Sequence, residues 1–225
     1  MKRLNLGCGL DIKEGYINLD KMEAKGVDVV WDLDKFPYPF KDNTFDEIIA
    51  FHILEHLFDY GKAMWELNRI LKPNGKLHLK VPHFSDAWSH NEFHKTEFSF
   101  CNFGHDRPLR DSRDIEKLRY FNFKVIKKRI RFTKVLQPHN YIIEPIFNFG
   151  VMPIIWEYGI LKNIFPATEI EVVLKKKIRF RCVECGKITA DIKESMKHPY
   201  CKECFKKVYN DDYEKYHEWM QENHL

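Results

Sequence analysis

The chain has 225 residues, of which 44% are hydrophobic and 15% aromatic, so it has enough apolar side chains for a folded core and is not a disordered protein. Its formal net charge of +4 is unevenly distributed, because residues 110–207 hold 22 Lys and Arg against 11 Asp and Glu. This basic region either meets an anionic partner or forms a solvated surface. The apolar stretch 141–165 is interrupted by prolines and glutamates, which excludes a membrane span, and Gly7 comes too early for a signal peptide. We expect a cytoplasmic protein.

Short β-rich runs alternate with helical ones in the first third of the chain. Strands are predicted over 3–6, 16–19, 27–31, 47–51 and 76–81. Between the last two, apolar residues at helical spacing predict a helix over 60–71, which ends at Lys72-Pro73-Asn74-Gly75. Strands that alternate with crossovers predict a mostly parallel sheet with helices on both faces.

After residue 82 the alternation gives way to a polar and aromatic loop over 83–114. Two further strands, over 121–135 and 169–180, are expected to complete the sheet as an antiparallel edge pair. The apolar helical segment between them either caps the carboxyl edge of the sheet or packs into the core. The aromatic residues of this region, which either line an acceptor pocket or belong to the core, are Trp88, Phe93, Phe98 and Trp156.

A ligand site is predicted where the first three strands end. Gly7-Cys8-Gly9 follows the first strand, and glycines at such a turn let the backbone approach a ligand closely. Asp20 closes the second strand and Asp32 the third, so all three lie along one carboxyl edge, which is where open α/β sheets bind ligands. An acid after the second strand can accept both ribose hydroxyls.

Several blocks in correct order carry a family resemblance. They are Asn5-Leu6-Gly7-Cys8-Gly9, Asp32-Leu33, the aromatic and proline-rich run 36–46, Leu54-Glu55-His56-Leu57, and Arg69-Ile70-Leu71-Lys72-Pro73-Asn74-Gly75. Over residues 1–82 the chain resembles the class I S-adenosylmethionine-dependent methyltransferases, and most closely their type 11 small-substrate branch. The resemblance implies a Rossmann-like fold and S-adenosylmethionine as cofactor.

The resemblance also implies roles for individual residues. The cofactor-binding residues would be Asn5, Gly7, Cys8, Gly9, Asp20, Asp32, Leu33 and His52. Of these, Gly7, Cys8 and Gly9 would surround the methionine part, Asp20 would bind the ribose hydroxyls, Asp32 and Leu33 would lie near the adenine, and His52 would border the substrate. The chain departs from the family at Asp11, which replaces the third glycine. Only ten residues separate Gly9 from Asp20, so the first helix is a single turn or absent.

Cysteine pairs near the end of the chain indicate a second, structural site. Cys182, Cys185, Cys201 and Cys204 form two CxxC pairs separated by fifteen residues, the spacing of a four-thiolate zinc site. A site with four cysteine ligands is closed and therefore not catalytic. It resembles a zinc ribbon, which caps the fold, docks a protein or contacts RNA through the lysines and arginines around it. An iron site or a redox pair is the alternative.

Histidines are concentrated after the fifth strand. His83, His90 and His94 are the candidate catalytic residues, since one of them could act as the general base that deprotonates an acceptor. His90 and His94 would share a face if their segment is helical. A second hypothesis has these three histidines bind a metal, and a third leaves them bonded to backbone or neighbouring carboxylates.

We therefore predict a methyltransferase domain over 1–180, with a loop and cap over 84–168, a four-cysteine zinc ribbon over 181–207 and a charged helix over 208–225. The predicted reaction transfers a methyl group from S-adenosylmethionine to an oxygen or nitrogen of a small-molecule or sugar-like acceptor. The alternatives are an RNA methyltransferase that uses the basic ribbon for substrate binding, and a non-catalytic adaptor that binds the cofactor. The identity of the acceptor and the oligomeric state do not follow from the sequence.

Overall fold

The computed structural model of the protein describes residues 1–103, 123–132, 140–158 and 166–177, together with the short pieces 180–181, 188–189, 192–193 and 200–201. Contacts between Cα atoms divide the chain into two units, Met1–Lys176 and Lys177–Leu225. The candidate cofactor-binding and catalytic residues all lie in the first unit, whereas the four cysteines of the predicted ribbon lie in the second.

Among the residues described, a seven-stranded mixed sheet organises the first unit. Its strands are β1 (Arg3–Leu6), β2 (Ile17–Asp20), β3 (Val29–Val30), β4 (Phe45–Phe51), β5 (Leu71–Pro82), β6 (Phe123–Arg131) and β7 (Glu169–Lys176). They lie in the order β3-β2-β1-β4-β5-β7-β6. The first five run parallel, whereas β7 lies antiparallel to both β5 and β6. The predicted antiparallel edge pair is therefore confirmed.

The central strands are buried because their apolar side chains are covered on both faces. Leu4 and Leu6 of β1, Ile48 of β4, Leu77 of β5 and Val172 of β7 are fully inaccessible to solvent. Such short, nearly continuous apolar runs are typical of strands in the middle of a covered sheet. The parallel register brings the carboxyl ends of β1, β2, β4 and β5 to one edge, and the residues of the candidate site follow these ends.

Three α-helices lie within the described part of this unit. They are α1 (Tyr60–Ile70), α2 (Asn140–Phe147) and α3 (Met152–Tyr158). Asp59 is the N-cap of α1, because its side chain accepts a hydrogen bond from the backbone amide of Lys62 at 2.8 Å. The predicted turn after this helix is instead part of β5, whose first residue, Leu71, pairs with Phe45 before a register shift.

The crossover from β1 to β2 contains no helix, as the spacing of Gly9 and Asp20 predicts. An asparagine pair at matched register positions replaces the helix as its support. Asn5 donates one amide hydrogen to the carbonyl oxygen of Asp11 at 2.8 Å and the other to Oδ1 of Asn18 at 2.9 Å. Asn18 also accepts from the backbone amide of Lys13 at 2.9 Å. These bonds fix the middle of the loop to β1 and β2.

The second unit is described through two short antiparallel strand pairs. Strand β8 (Phe180–Arg181) pairs with β9 (Ile188–Thr189), and β10 (Ile192–Lys193) pairs with β11 (Tyr200–Cys201). Cys182, Cys185, Cys204 and the predicted helix over 208–225 lie outside the described residues, as does the side chain of Cys201. Within the described part of the chain, no helix has the length and apolarity needed to cross a bilayer.

Candidate active site

The loop after β1 holds two glycines in the left-handed region of backbone space. Gly7 has a φ of +65°, and a Cβ atom there would collide with the side chain of Ile53, so this glycine is needed for packing against the end of β4. Gly9 has a φ of +49°, and a Cβ atom there would meet no other atom within 4 Å. The backbone at Gly9 is therefore open on the side where a ligand can approach it.

The carboxylate of Asp20 is tied to this glycine loop. Its Oδ2 atom accepts a hydrogen bond from the backbone amide of Gly9 at 2.8 Å, and its Oδ1 atom accepts one from the amide of Met22 at 3.0 Å. Asp20 therefore joins the end of β2 to the turn after β1. Each carboxylate oxygen has a second lone pair, which leaves acceptor capacity for ligand hydroxyls.

Asn5 and Cys8, both among the predicted cofactor-binding residues, are buried. The side-chain NH2 group of Asn5 donates hydrogen bonds to Asp11 and Asn18, so Asn5 supports the loop and does not face a ligand. The Cys8 side chain is only 4% exposed, and burial raises the pKa of its thiol. Cys8 therefore presents its backbone to the loop rather than a reactive thiolate.

Asp32 and Leu33 lie just after β3, as predicted. The Oδ1 atom of Asp32 accepts the backbone amide of Asp34 at 3.1 Å, and the side chain is partly exposed. Leu33 is buried, and its carbonyl oxygen accepts a hydrogen bond from the Tyr38 hydroxyl at 3.1 Å. The backbone amide of Trp31 donates to the carbonyl of Asp20 at 2.9 Å, so this segment is held beside the end of β2.

These residues fit S-adenosylmethionine. The open backbone at Gly9 is the kind of surface against which a ligand's chain can lie, and carboxylates follow two adjacent strands. A neutral ribose and an adenine need hydrogen-bond acceptors of this type, and the cofactor carries no phosphate that would require a helix N-terminus. The missing first helix therefore removes no phosphate-binding group that this cofactor needs.

His52 follows β4 in a left-handed conformation with a φ of +52°. Its Nε2 atom lies 3.0 Å from Oε2 of Glu169, and its Nδ1 atom lies 3.6 Å from Oε1 of Glu55. These carboxylates, Glu169 first, raise the pKa of His52 to about 9. The ring is therefore an imidazolium cation at neutral pH, which suits it to charge pairing and excludes it as a general base there.

His83, which follows β5, is buried in the core. Its Nδ1 atom accepts the backbone amide of Ser85 at 3.1 Å, and its ring packs 4.5 Å from that of Phe84 and 5.0 Å from that of Trp156 between centroids. Phe98 and Trp156, two of the four candidate pocket aromatics, are likewise fully buried, whereas Phe93 is exposed. The side chain of Trp88, the fourth candidate, lies outside the described part of the structure.

The other two candidate histidines do not share a helix face. His90 is the last residue of a short 3-10 helix, Ala87–His90. Its ring is exposed, and Nδ1 lies 2.8 Å from Oε1 of Glu97. His94 lies beyond that helix, with Nδ1 3.0 Å from the carbonyl oxygen of Ser89. Among the described residues, His83, His90 and His94 do not form a common group of potential metal ligands.

His94 instead lies beside two residues, Glu55 and His56, that are not among the predicted site residues. One ligand atom from each of Glu55, His56 and His94 lies within 4.8 Å of the others. Within the described residues this is the one such group of histidines, cysteines or carboxylates, and it includes neither His83 nor His90. Glu55 and His56 belong to one of the family blocks, and no local pattern links them to a residue almost forty positions later.

Comparison with known proteins supports the sequence-based assignment. Residues 3–79 match the family model described as "Methyltransferase domain", which confirms the resemblance over the first five strands and α1. This match supports the prediction that the chain is an S-adenosylmethionine-dependent methyltransferase. The match covers less than half of the chain.

Curated relatives and solved structures are similar over different extents. An uncharacterized protein of Methanocaldococcus jannaschii is 56% identical over 43 residues, which are 19% of each chain. Demethylmenaquinone methyltransferase of Staphylococcus haemolyticus is 34% identical over 71 residues, 31% of this chain and 30% of that one. The chain thus spans a minor part of the length of these relatives. An S-adenosylmethionine-dependent methyltransferase from Archaeoglobus fulgidus has 17% identity and a TM-score of 0.49, and the alignment covers 78% of this chain and 86% of that one.

Proposed function

We propose that the protein transfers a methyl group from S-adenosylmethionine to an oxygen or nitrogen atom of a small-molecule or sugar-like acceptor. The observation that carries the proposal is the bond between the Gly9 amide and the Asp20 carboxylate, which joins an open glycine loop to an acidic strand end. The family match over residues 3–79 supports the same cofactor.

The residues of this edge would divide the binding of the cofactor among them. Gly9 and its neighbours offer backbone against the methionine part, Asp20 accepts from the ribose hydroxyls, and Asp32 accepts from the adenine amino group. When bound, the cofactor supplies the electrophilic methyl group of its sulfonium. The protein then has to orient the acceptor and exclude water, because the cofactor carries the difficult chemistry.

We infer that His90 is the general base where the acceptor requires one. Its ring is exposed, and Glu97 at 2.8 Å orients it, which is the geometry expected of an imidazole base. His83 is fully buried, and His52 is a cation at neutral pH. His90→Ala should lower turnover about 10²- to 10⁴-fold. Wild-type turnover in His90→Ala would rule out this role.

The small-molecule acceptor is favoured by the branch that the motifs resemble. The Staphylococcus haemolyticus relative is named as a demethylmenaquinone methyltransferase, which agrees with this class of acceptor. A nucleic-acid substrate is the competing outcome, because the chain after residue 109 is basic. The two acceptor classes are distinguished by whether the transferred methyl group is found in a small molecule or in RNA.

The cofactor site is tested by calorimetry with S-adenosylmethionine. Asp20→Asn and Asp32→Asn should each weaken binding by about tenfold or more, because an amide replaces a charge-assisted acceptor. Glu23→Gln, an exposed change close to Asp20 in sequence, serves as the matched control and should bind as the wild type does. Equal affinity in all four proteins would overturn the proposed site.

The acceptor class is tested with methyl-labelled cofactor and a cell extract separated into small molecules, RNA and protein. Label in the small-molecule fraction supports the proposal. Label in RNA that nuclease removes would replace it with an RNA methyltransferase. Tight cofactor binding without label in any fraction would indicate a non-catalytic adaptor.

A further inference from the structure

We propose that Glu55, His56 and His94 form a binding site for a divalent metal ion, with the ligand chemistry of zinc. The site is distinct from the predicted four-cysteine site in the second unit. The inference does not depend on the methyl-transfer activity, since it concerns the ion that these side chains bind.

Backbone hydrogen bonds bring the three residues together. Glu55 and His56 lie in the short 3-10 helix Leu54–His56, which follows β4 at the carboxyl edge of the sheet. The carbonyl oxygen of Glu55 accepts the backbone amide of Lys95 at 2.6 Å and that of Thr96 at 3.3 Å. The loop that carries His94 is therefore anchored on the main chain of Glu55 itself, so the cluster does not depend on surface side chains that happen to meet.

Both imidazoles are oriented as metal ligands are. Nδ1 of His56 lies 3.3 Å from the carbonyl oxygen of Phe93, and Nδ1 of His94 lies 3.0 Å from that of Ser89. A carbonyl oxygen only accepts, so Nδ1 carries the hydrogen in both rings and the lone pair is on Nε2. Histidine ligands of metals usually donate their other ring N–H to a carbonyl or carboxylate in this way. The two ring centroids are 4.8 Å apart in an edge-to-face arrangement.

Glu55 supplies an independent indication of a missing partner. The residue is 1% exposed, and among the described residues its Oε2 atom has no hydrogen-bond partner. Its Oε1 atom lies 3.6 Å from Nδ1 of His52, which accounts for one oxygen only. A buried carboxylate oxygen without a partner is unfavourable, and a cation bound beside two imidazole nitrogens would satisfy it.

The ligand set selects the kind of ion. Two imidazoles and one carboxylate suit zinc better than magnesium or calcium, which prefer oxygen ligands. Zinc ligands at about 2.0–2.1 Å lie roughly 3.4 Å from one another in a tetrahedral site, so small side-chain rotations would close a cluster now within 4.8 Å. Three protein ligands leave a fourth position for water or for an oxygen or nitrogen of a bound molecule.

The test measures zinc bound per chain in the full-length protein, after loading with zinc and extensive dialysis. Glu55→Gln, His56→Ala and His94→Ala should each retain one zinc equivalent fewer than the wild type. His90→Ala is the matched control, because it removes a histidine four positions from His94 in sequence that is outside the cluster, and it should retain the wild-type amount. Cobalt substitution adds a spectroscopic readout. The difference between the cobalt spectra of the wild type and His94→Ala reports the proposed site alone. This difference should not contain thiolate-to-cobalt charge-transfer bands, which only a cysteine site gives.

Equal zinc content in the wild type, Glu55→Gln and His94→Ala would overturn the proposal, as would cobalt absorption that consists of thiolate bands alone. Loss of zinc in His90→Ala but not in His94→Ala would also overturn it. Circular dichroism of the same variants shows whether each is folded. Calorimetry with S-adenosylmethionine separates the two proposals, because the wild type can fail to bind the cofactor and still bind the ion, or the reverse.

Discussion

His52 illustrates how a single residue combines backbone strain with charge. Its left-handed backbone lets its own amide donate to the carbonyl of Lys80 at 2.8 Å while the ring reaches Glu169 on β7. A residue other than glycine adopts this conformation at an energetic cost, which the surrounding contacts must offset. Lys80 also lies 3.2 Å from Glu169, so this carboxylate pairs with two cations.

Removal of the Glu169 charge should lower the pKa of His52. In metal-free protein we expect Glu169→Gln to shift this pKa from about 9 toward its ordinary value of 6.5, because the largest cause of the rise is lost. NMR titration of the imidazole measures it directly. Glu171→Gln, two residues further along the same strand, is the control and should leave the pKa of His52 near 9.

The same pKa shift predicts how stability depends on pH. A histidine whose pKa is raised in the folded state stabilises the fold fully below pH 6.5, and this contribution is lost as the pH rises through about 9. Urea unfolding between pH 6.5 and 9.5 should therefore show a decline in the free energy of unfolding that is smaller in Glu169→Gln. An identical decline in both proteins would show that His52 is not its source.

At the same scale, the sequence predicts the positions of single residues better than contacts between distant ones. Asp20 and Asp32 lie at the carboxyl edge as expected, because their signal is local: each follows a predicted strand. The proximity of Glu55, His56 and His94 has no such local signal, because it depends on the bonds from the amides of Lys95 and Thr96 to the Glu55 carbonyl. No spacing rule predicts a contact of that kind across an irregular loop.

At the scale of elements, the crossover after β1 is stabilised by side-chain hydrogen bonds, whereas a helix usually occupies this position. Asn18 is 4% exposed and bonds to Asn5, Lys13 and Asp28. Asn5 lies in β1, Lys13 in this crossover, and Asp28 just before β3. The loop that carries Gly9 therefore depends on one buried amide group.

Asn18→Ala should destabilise the fold by about 1–3 kcal/mol, because it leaves buried partners without hydrogen bonds. It should also weaken S-adenosylmethionine binding, since the loop over 7–13 loses its anchor. Chemical denaturation and calorimetry measure the two effects. Glu14→Ala, an exposed change in the same loop, should alter neither one; comparable losses in both variants would argue against a special role of Asn18.

A second element, the aromatic and proline-rich loop before β4, is fastened to α1 by Arg69. The guanidinium donates to the carbonyl oxygens of Phe40 at 2.8 Å and Tyr38 at 3.1 Å, and it pairs with Glu66 at 2.7 Å. Glu66 in turn accepts the backbone amide of Tyr38 at 2.6 Å. Two residues one helical turn apart thus satisfy three backbone groups of this loop.

Arg69→Met should lower the free energy of unfolding by about 2 kcal/mol or more, since it keeps the aliphatic contacts but removes bonds from a charged donor. Lys62→Ala lies on the same helix and removes only a looser pair with Asp59 at 3.6 Å. That control should change the free energy of unfolding by less than about 1 kcal/mol. Denaturant titrations of the two variants side by side decide whether Arg69 fastens the loop.

The elements themselves were predicted well where periodicity is strong. β1, β2, β4 and α1 fall close to their expected positions, because apolar alternation and helical spacing are local properties. The start of β5 was predicted as a turn, since Pro73-Asn74-Gly75 has turn composition. The structure accommodates these residues in the strand with Asn74 at a φ of +65° and a shift of register against β4.

For the whole molecule, the division at residues 176 and 177 separates the candidate chemistry from the predicted ribbon. Met1–Lys176 contains the sheet, its core and the cofactor-binding residues, and the four cysteines follow it in sequence. The ribbon spacing came from cysteine positions alone, and it stays a prediction.

Cys204→Ser should remove one zinc equivalent per chain while S-adenosylmethionine affinity is retained, because three thiolates bind a structural zinc poorly and the cofactor residues belong to the other unit. Metal analysis and calorimetry on the full-length variant check both parts. Unchanged zinc content would show that these cysteines do not form a metal site. A loss of cofactor binding would mean that the two units are energetically coupled.

The order of the strands also bears on how the protein behaves at high concentration. An exposed outer strand is a template on which another polypeptide can extend a sheet, and this is a common start of aggregation. One outer strand, β3, is only two residues long. The other, β6, carries Lys124, Lys127, Lys128, Arg129 and Arg131 and is distorted between Val125 and Lys127. Another polypeptide would find too few backbone partners at β3 and a row of cations at β6. The two outer strands of the described sheet therefore both oppose its extension by a second molecule.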